Sequence, residues 1–214
     1  MKKFSCPSCG AEVLIQSTAT IFTVCKYCKS TLVRKDTDLE SIGKMADLKE
    51  DASPLQIGTS GKYRAAGLVA SDFLVIGRVR VSWEDGFWNE WFVRFDDGLG
   101  GWLAEAQGDY MLSFEVTSPV TVPKLTDLEP ESEVTIGKIK YLVSDIKTVT
   151  YTFAEGELPF IAPQGFKGQS VDLEAGENDF ASISYSQEGN DVFVGHYIEF
   201  DDFHFQNLRA IDGW

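Results

Sequence analysis

The clearest chemistry in this 214-residue chain lies in its four cysteines. Cys6 and Cys9, then Cys25 and Cys28, form a C-x2-C-x15-C-x2-C pattern. That spacing belongs to zinc sites. Zinc is a borderline-soft ion, and four thiolates in a tetrahedron satisfy it. Two residues between the members of each pair make a tight turn that aims both sulfurs at one ion. Fifteen residues between the pairs suffice for a short hairpin that returns the second turn to the first. Gly10, directly after Cys9, permits the backbone angles such a turn needs. A segment this short buries little apolar surface, so the metal must hold it together; structural zinc contributes on the order of 10–16 kcal/mol in small peptides. Four filled positions leave none for substrate, so the expected Zn2+ is structural and not catalytic. Disulfides fit a cytosolic setting poorly. A redox C-x-x-C would need no second copy.

A second group of chemistry-bearing residues sits on two alternating runs. Residues 73–83 place Phe73, Val75, Val79, Val81 and Trp83 on one face, with Leu74, Ile76, Arg78 and Arg80 on the other. Residues 87–95 place Phe87, Asn89, Trp91, Val93 and Phe95 against Trp88, Glu90, Phe92 and Arg94. Glu84-Asp85-Gly86 reads as a three-residue hairpin loop with glycine at its left-handed last position. This register sets Trp83 opposite Phe87, Val79 opposite Trp91, Val75 opposite Phe95 and Arg80 opposite Glu90. Asp96-Asp97-Gly98 forms a like loop, setting Trp91 against Leu103 and Phe92 against Trp102. A further hairpin begins at Gly108-Asp109, giving an antiparallel meander over about residues 73–116. One of its faces is core. The other carries Trp88, Phe92 and Trp102 beside Arg78, Arg80 and Glu90. Either a second β-block covers that face, or it is an aromatic and charged surface that grips a partner or ligand. Glu90 beside an arginine reads as an ion pair before it reads as a general base.

No catalytic residue is assigned. Alternation groups His196 with Val194, Ile198 and Phe200 on an inward face, as a hydrogen-bonded core histidine. His204 stands beside Asp201 and Asp202, without spacing that fixes a second metal site. No nucleophile elbow, phosphate loop or dinucleotide fingerprint is present.

These residues imply a mainly β fold. An N-terminal zinc ribbon (1–35) precedes a linker or short amphipathic helix (36–53), in which Leu39, Ile42, Met45 and Ala46 recur at helical spacing. A first β-block (54–116), a proline-containing connection (117–133) and a second β-block (134–214) follow. Val93 to Gly98 with Trp102 and Gly108-Asp109 is echoed by Val171 to Gly176 with Phe180 and Gly189-Asn190, which points to an internal duplication. The two antiparallel blocks then form a sandwich or a barrel.

Charge divides the chain the same way. Residues 1–35 hold Lys2, Lys3, Lys26, Lys29, Arg34 and Lys35 against Glu12 alone, a local +5 within a net −14, so the remainder carries −19. Such a body repels nucleic-acid phosphates, leaving only the ribbon for that role. The ribbon lysines serve equally to offset four thiolates around one divalent ion. No apolar run approaches the ~18 residues of a membrane helix. No secretory signal opens the chain. The expected setting is the cytoplasm.

Phe73-Leu74-Val75-Ile76-Gly77-Arg78, Trp88-Asn89-Glu90-Trp91, Gly98 to Glu105, and Gly156-Glu157-Leu158-Pro159-Phe160 resemble the bacterial domain of unknown function 4178, over about residues 54–208. An N-terminal ribbon joined to this domain also resembles a recurring arrangement. The resemblance implies a setting near polyamine aminopropyltransferases or phage-shock-type membrane-stress proteins, and carries no catalytic residue. The leading expectation is therefore a non-enzymatic zinc-ribbon adaptor whose partner is a protein, with a basic peptide or polyamine suited to the acidic body. A nucleic-acid-binding ribbon and an enzyme with a site between the β-blocks are the alternatives.

Overall fold

A computed structural model of the protein describes residues 1–48, 52–64, 71–187 and 189–210. Strands dominate, and no α-helix occurs among the described residues. The ribbon contains β1 (Lys2–Ser5), β2 (Glu12–Ile15), β3 (Phe22–Val24), β4 (Ser30–Lys35) and β5 (Asp38–Lys44). The last of these replaces the helix expected within 36–53. Asp36 adopts a left-handed φ of 46°, the chain reverses, and β5 pairs with β4 from Lys35↔Asp38 to Ser30↔Lys44. Leu39 packs into the ribbon core and Met45 into the body, while Ile42 and Ala46 stay exposed, so the helical periodicity was coincidental. Residues 49–51 of the expected linker lie outside the described residues.

The body contains β6 (Ser60–Tyr63), β7 (Ser71–Trp83), β8 (Gly86–Phe95), β9 (Gly100–Ala106), β10 (Asp109–Glu115), β11 (Glu133–Ile136), β12 (Ile139–Leu158), β13 (Lys167–Ala175), β14 (Asp179–Tyr185) and β15 (Asn190–Tyr197). Strands β7 to β10 form one antiparallel meander and β12 to β15 a second. The two join on both sides. Met111 of β10 pairs with Tyr197 of β15, and Thr150 to Gly156 of β12 pair with Ser82 to Gly77 of β7. Neighbour-to-neighbour pairing thus runs round a ring of eight strands, which closes at a seam where β12 passes from β13 to β7 at Thr150.

The twenty-residue β12 is the seam. One of its edges pairs with β13 over residues 142–150 and the other with β7 from Thr150 to Gly156; β3 pairs with it at Glu157 and Leu158. The ribbon is therefore stitched into the same thirteen-stranded sheet as the body. At the crossing of β7 and β12 the backbones approach so closely that a Cβ on Gly77 would lie 1.8 Å from the Glu157 carbonyl oxygen. Only glycine fits there.

The β8–β9 register follows the sequence pattern, with Trp91 opposite Leu103 and Phe92 opposite Trp102. The β7–β8 register does not. Glu84 and Asp85 alone make the turn, Gly86 pairs with Trp83, and Val79 and Val81 face Glu90 and Trp88. A bulge at Ile76 then shifts the pairing by one more residue, to Val75–Val93 and Phe73–Phe95, so that Val75 does not face Phe95 as expected but shares its face with Val93. A one-residue slip exchanges the faces of a strand. Arg78 and Arg80 accordingly leave the face that carries Glu90.

Inside the ring, Val79, Val81, Phe92, Val149 and Ala154 form a cluster with Trp88, Trp102, Tyr151 and Phe160. Outside it, Phe73, Trp91, Phe95, Leu103 and Leu112 are covered by Leu55, Phe203 and Phe205. Val120, Val122 and Leu125 of the proline-containing connection cover the second meander around Val143, Leu173 and Ile183.

Candidate functional site

The two cysteine pairs sit on matching turns. The Gly10 N–H donates to the Cys6 carbonyl at 2.8 Å, and the Lys29 N–H donates to the Cys25 carbonyl at 2.9 Å. The Cys6 N–H reaches the Ala11 carbonyl and the Cys25 N–H reaches the Ser30 carbonyl in the same way. The residue after each second cysteine is left-handed, with φ of 75° at Gly10 and 59° at Lys29. Each turn closes on itself and points both of its sulfurs to one side.

The four sulfurs all lie within 4.8 Å of one another, with Cys6–Cys28 at 3.7 Å and Cys9–Cys25 at 3.8 Å. A tetrahedron with metal–sulfur bonds of about 2.3 Å has edges of about 3.8 Å, so the donor set fits a thiophilic metal ion. Cys6 and Cys25 are buried and Cys9 is exposed. The Ser30 hydroxyl, and after it the Ser30 backbone N–H, hold the Cys28 thiol down to about 6, which favours a ready thiolate ligand. Among the described residues this is the one cluster of three or more ligating side chains close enough for a metal ion.

The ribbon is anchored by a residue that sequence reasoning missed. Glu157, 3% exposed, follows the β7–β12 crossing. Its carboxylate accepts the Gln16 N–H at 2.9 and 3.0 Å, the Ser17 N–H at 3.1 Å and the Thr20 hydroxyl at 2.6 Å. These donors belong to the loop between β2 and β3. No local signal in the sequence distinguishes Glu157 from the other acidic residues of the body.

The ring surrounds a partly open cavity of about 730 Å³. Alternate residues of all eight ring strands line it, including Trp83 and Val81 of β7, Trp88 and Glu90 of β8, Trp102 of β9, Asp172 of β13 and Phe180 of β14. Seven carboxylates face it against one lysine, Lys147. That lysine is paired with Asp145 and lies over the Trp83 ring at 5.4 Å. Glu90 accepts the Trp88 indole N–H at 2.9 Å. Burial pushes its carboxyl up to about 7, and the charge of Asp172 adds to the rise. Burial also raises Asp172, against a lowering by Lys147 and by the Ser170 hydroxyl 3.3 Å away. The volume is that of a small-molecule site, and nine aromatic side chains share its wall with the carboxylates and six serines.

The six residues expected to share one surface are therefore divided. Trp88, Glu90, Phe92 and Trp102 point into the ring. Arg78 and Arg80 are buried on its outer side, 0% and 8% exposed. Arg78 donates to Asn89 Oδ1 at 2.7 and 3.1 Å, reaches Glu155 at 3.4 Å and lies over the Trp91 ring at 4.4 Å. Arg80 donates to the same Asn89 oxygen at 3.3 Å. Asn89 in turn donates to Glu105, which also accepts from Ser53 at 2.7 Å and Trp91 at 3.1 Å. The expected Arg80–Glu90 pair does not form; the arginines serve an outer polar network. His196 is also turned from its expected place: Tyr197 faces the cavity, while His196 is half-exposed and 3.1 Å from Asp179.

No curated protein and no solved structure matches the chain. The model of a family described as a domain of unknown function, DUF4178, matches residues 58–200, which span the ring from the end of the segment before β6 to the residues after β15; the chain belongs to that family.

Proposed function

We propose that the protein is a non-enzymatic cytoplasmic adaptor, in which a ribbon clamped by structural zinc is fused to a β-barrel that binds a ligand in its interior. The cavity carries this reading. A barrel needs no 730 Å³ hollow for stability, because side chains can fill a ring of eight strands. Zinc is favoured over other thiophilic ions because a closed tetrathiolate suits a redox-inert structural role. Tyr27, 65% exposed on the second cysteine turn, offers a protein partner an aromatic contact. Lys3, Lys29 and Lys35 pair with Glu12, Asp47 and Glu40, which weighs against a nucleic-acid role for the ribbon. A setting in membrane-stress or polyamine-associated systems rests on the family resemblance and not on geometry.

One observation favours the alternative of an enzyme: the carboxyl of Glu90, lifted to about 7 inside the cavity, has the poise of a general acid or base. Native mass spectrometry of the full chain, purified without chelator, tests the main reading. The expected result is one zinc per chain and a small molecule released on denaturation. A chain that releases nothing, and that gains no thermal stability from any member of a metabolite library, refutes it. Chemical conversion of a bound molecule, lost in Glu90→Gln, would instead establish the enzyme.

A further inference from the structure

We infer that the cavity receives an organic cation, with an ammonium group held between the carboxylates of Glu90 and Asp172 and an apolar body against Trp88, Trp102 and Phe180. This rests on the reading of the cavity as a ligand site and adds the chemical class of the ligand. Three observations carry it. Seven carboxylates and one lysine line the cavity; Asp109, Glu115, Glu174 and Asp191 are exposed, Glu90, Asp145 and Asp172 are half-buried, and the lysine is already paired with Asp145, so the charge that meets an anion is negative. Glu90 forms no ion pair with any described residue, and its hydrogen bond from Trp88 occupies only one of its two oxygens. A half-buried carboxylate with no cation beside it is disfavoured, and a cationic ligand would relieve that cost. The surrounding indole and phenyl faces attract a positive charge and bury hydrocarbon at the same time.

A bare metal ion fits less well. No third ligating side chain among the described residues converges on Glu90 and Asp172 closely enough. The aromatic lining offers a hydrated divalent ion nothing, whereas it matches an alkylammonium along its length.

Protonation supports the same assignment. Glu90 faces Trp88 from its own strand, Asp172 from β13 and Tyr151 from β12; Tyr151 also senses Asp191 of β15, and Asp172 senses Lys147 and Glu174. Apart from Lys147 these charged neighbours are acidic, so the site resists ionisation when empty and releases a proton when a cation enters near pH 7.

The test uses the full metal-loaded chain at pH 8 and three matched probes: hexylammonium, hexanol and hexanoate, followed by calorimetry and tryptophan emission. Hexylammonium is expected to bind at least about tenfold more tightly than hexanol, with hexanoate weakest. Glu90→Gln and Asp172→Asn should each weaken hexylammonium at least about tenfold while leaving hexanol unchanged, which also shows that the variants are folded. Equal binding of all three probes overturns the cation assignment and leaves the ligand site standing. Hexylammonium binding that both variants retain in full overturns it too. Failure of all three probes, with emission unmoved, removes the ligand site along with its class.

Discussion

The Glu157 carboxylate accepts the Thr20 hydroxyl at 2.6 Å, joining the barrel seam to the loop that leads into the second cysteine turn. Both residues are almost wholly buried, at 3% and 1% exposure. Two backbone N–H groups, of Gln16 and Ser17, complete the carboxylate's partners. Truncation by Glu157→Ala strands three donors away from water. At roughly 1–3 kcal/mol for each unsatisfied buried group, the loss should reach about 3–5 kcal/mol once partial relaxation is allowed. Glu157→Gln keeps one acceptor oxygen but brings an NH2 against the same donors, so it should cost less than alanine and more than zero. Denaturant unfolding measures both. A loss under about 1 kcal/mol for alanine would show that strand pairing between β3 and β12 suffices to hold the ribbon.

The cysteine turns allow a backbone effect to be isolated. Lys29 holds a left-handed φ of 59° where the matching turn has Gly10 at 75°. A side chain in that region costs roughly 1–2 kcal/mol. Lys29→Gly relieves the strain and forfeits only an exposed contact to Asp47 at 3.8 Å, which contributes little. The gain is reduced by the greater freedom of glycine in the unfolded chain. A net stabilisation of about 0.5 kcal/mol is expected in the metal-loaded protein. Gly10→Ala is the converse: a Cβ there meets nothing within 4 Å, so its cost of about 1 kcal/mol is purely conformational. Thermal unfolding of both variants should show opposite signs.

The ribbon was legible in the sequence because its chemistry is local: cysteine spacing alone dictates which atoms meet. The meanders were legible from alternation, and the Asp96-Asp97-Gly98 loop fell where glycine chemistry places it, with the Phe95 N–H on the Leu99 carbonyl at 2.9 Å. The first turn misled because Gly86 is needed for a different reason. A Cβ there would lie 3.1 Å from the Trp83 ring, so glycine makes room for an indole and does not supply a left-handed angle. That one-residue error moved two arginines to the wrong face. The bulge at Ile76, the seam at Gly77 and the role of Glu157 depend on partners up to 141 residues away, and no window of sequence contains them. A hollow interior was equally hidden, since alternation shows which residues face inward but not whether they meet.

Metal removal should be felt beyond the ribbon. Phe22, at the start of β3 and three residues before Cys25, packs in one cluster with Leu158 and Phe160. The Phe160 ring lies 5.7 Å from that of Trp102 in the cavity wall. Loss of the metal removes on the order of 10 kcal/mol of ribbon stabilisation. A strong chelator, or Cys25→Ser, should therefore lower the melting temperature and shift tryptophan emission. Cobalt substitution should show the sulfur-to-metal charge-transfer bands of a tetrathiolate site. One equivalent of metal per chain is expected by elemental analysis; its absence from reduced protein with an ordered ribbon would refute the metal centre.

Glu90 sets a pH dependence whose sign follows from its environment. Its carboxyl is raised from 4.5 to about 7, chiefly by burial. A group raised on folding contributes stability that is fully present below its unfolded pKa and is lost as pH climbs through the folded value. Stability tied to Glu90 is thus complete below pH ~4.5, declines between ~4.5 and ~7, and is absent above. The shift corresponds to on the order of 3 kcal/mol, and the partial exposure of Glu90 lowers that to roughly 2. Glu90→Gln keeps the neutral form at every pH. The variant should match the native protein near pH 4 and exceed it by roughly 2 kcal/mol near pH 8, measured on ligand-free protein by denaturant unfolding. Added hexylammonium should reverse the ranking at pH 8, because only the native carboxylate then gains a counter-charge. A variant equally stable at both pH values, with and without the amine, would mean that Glu90 is already ionised and solvated in the empty barrel.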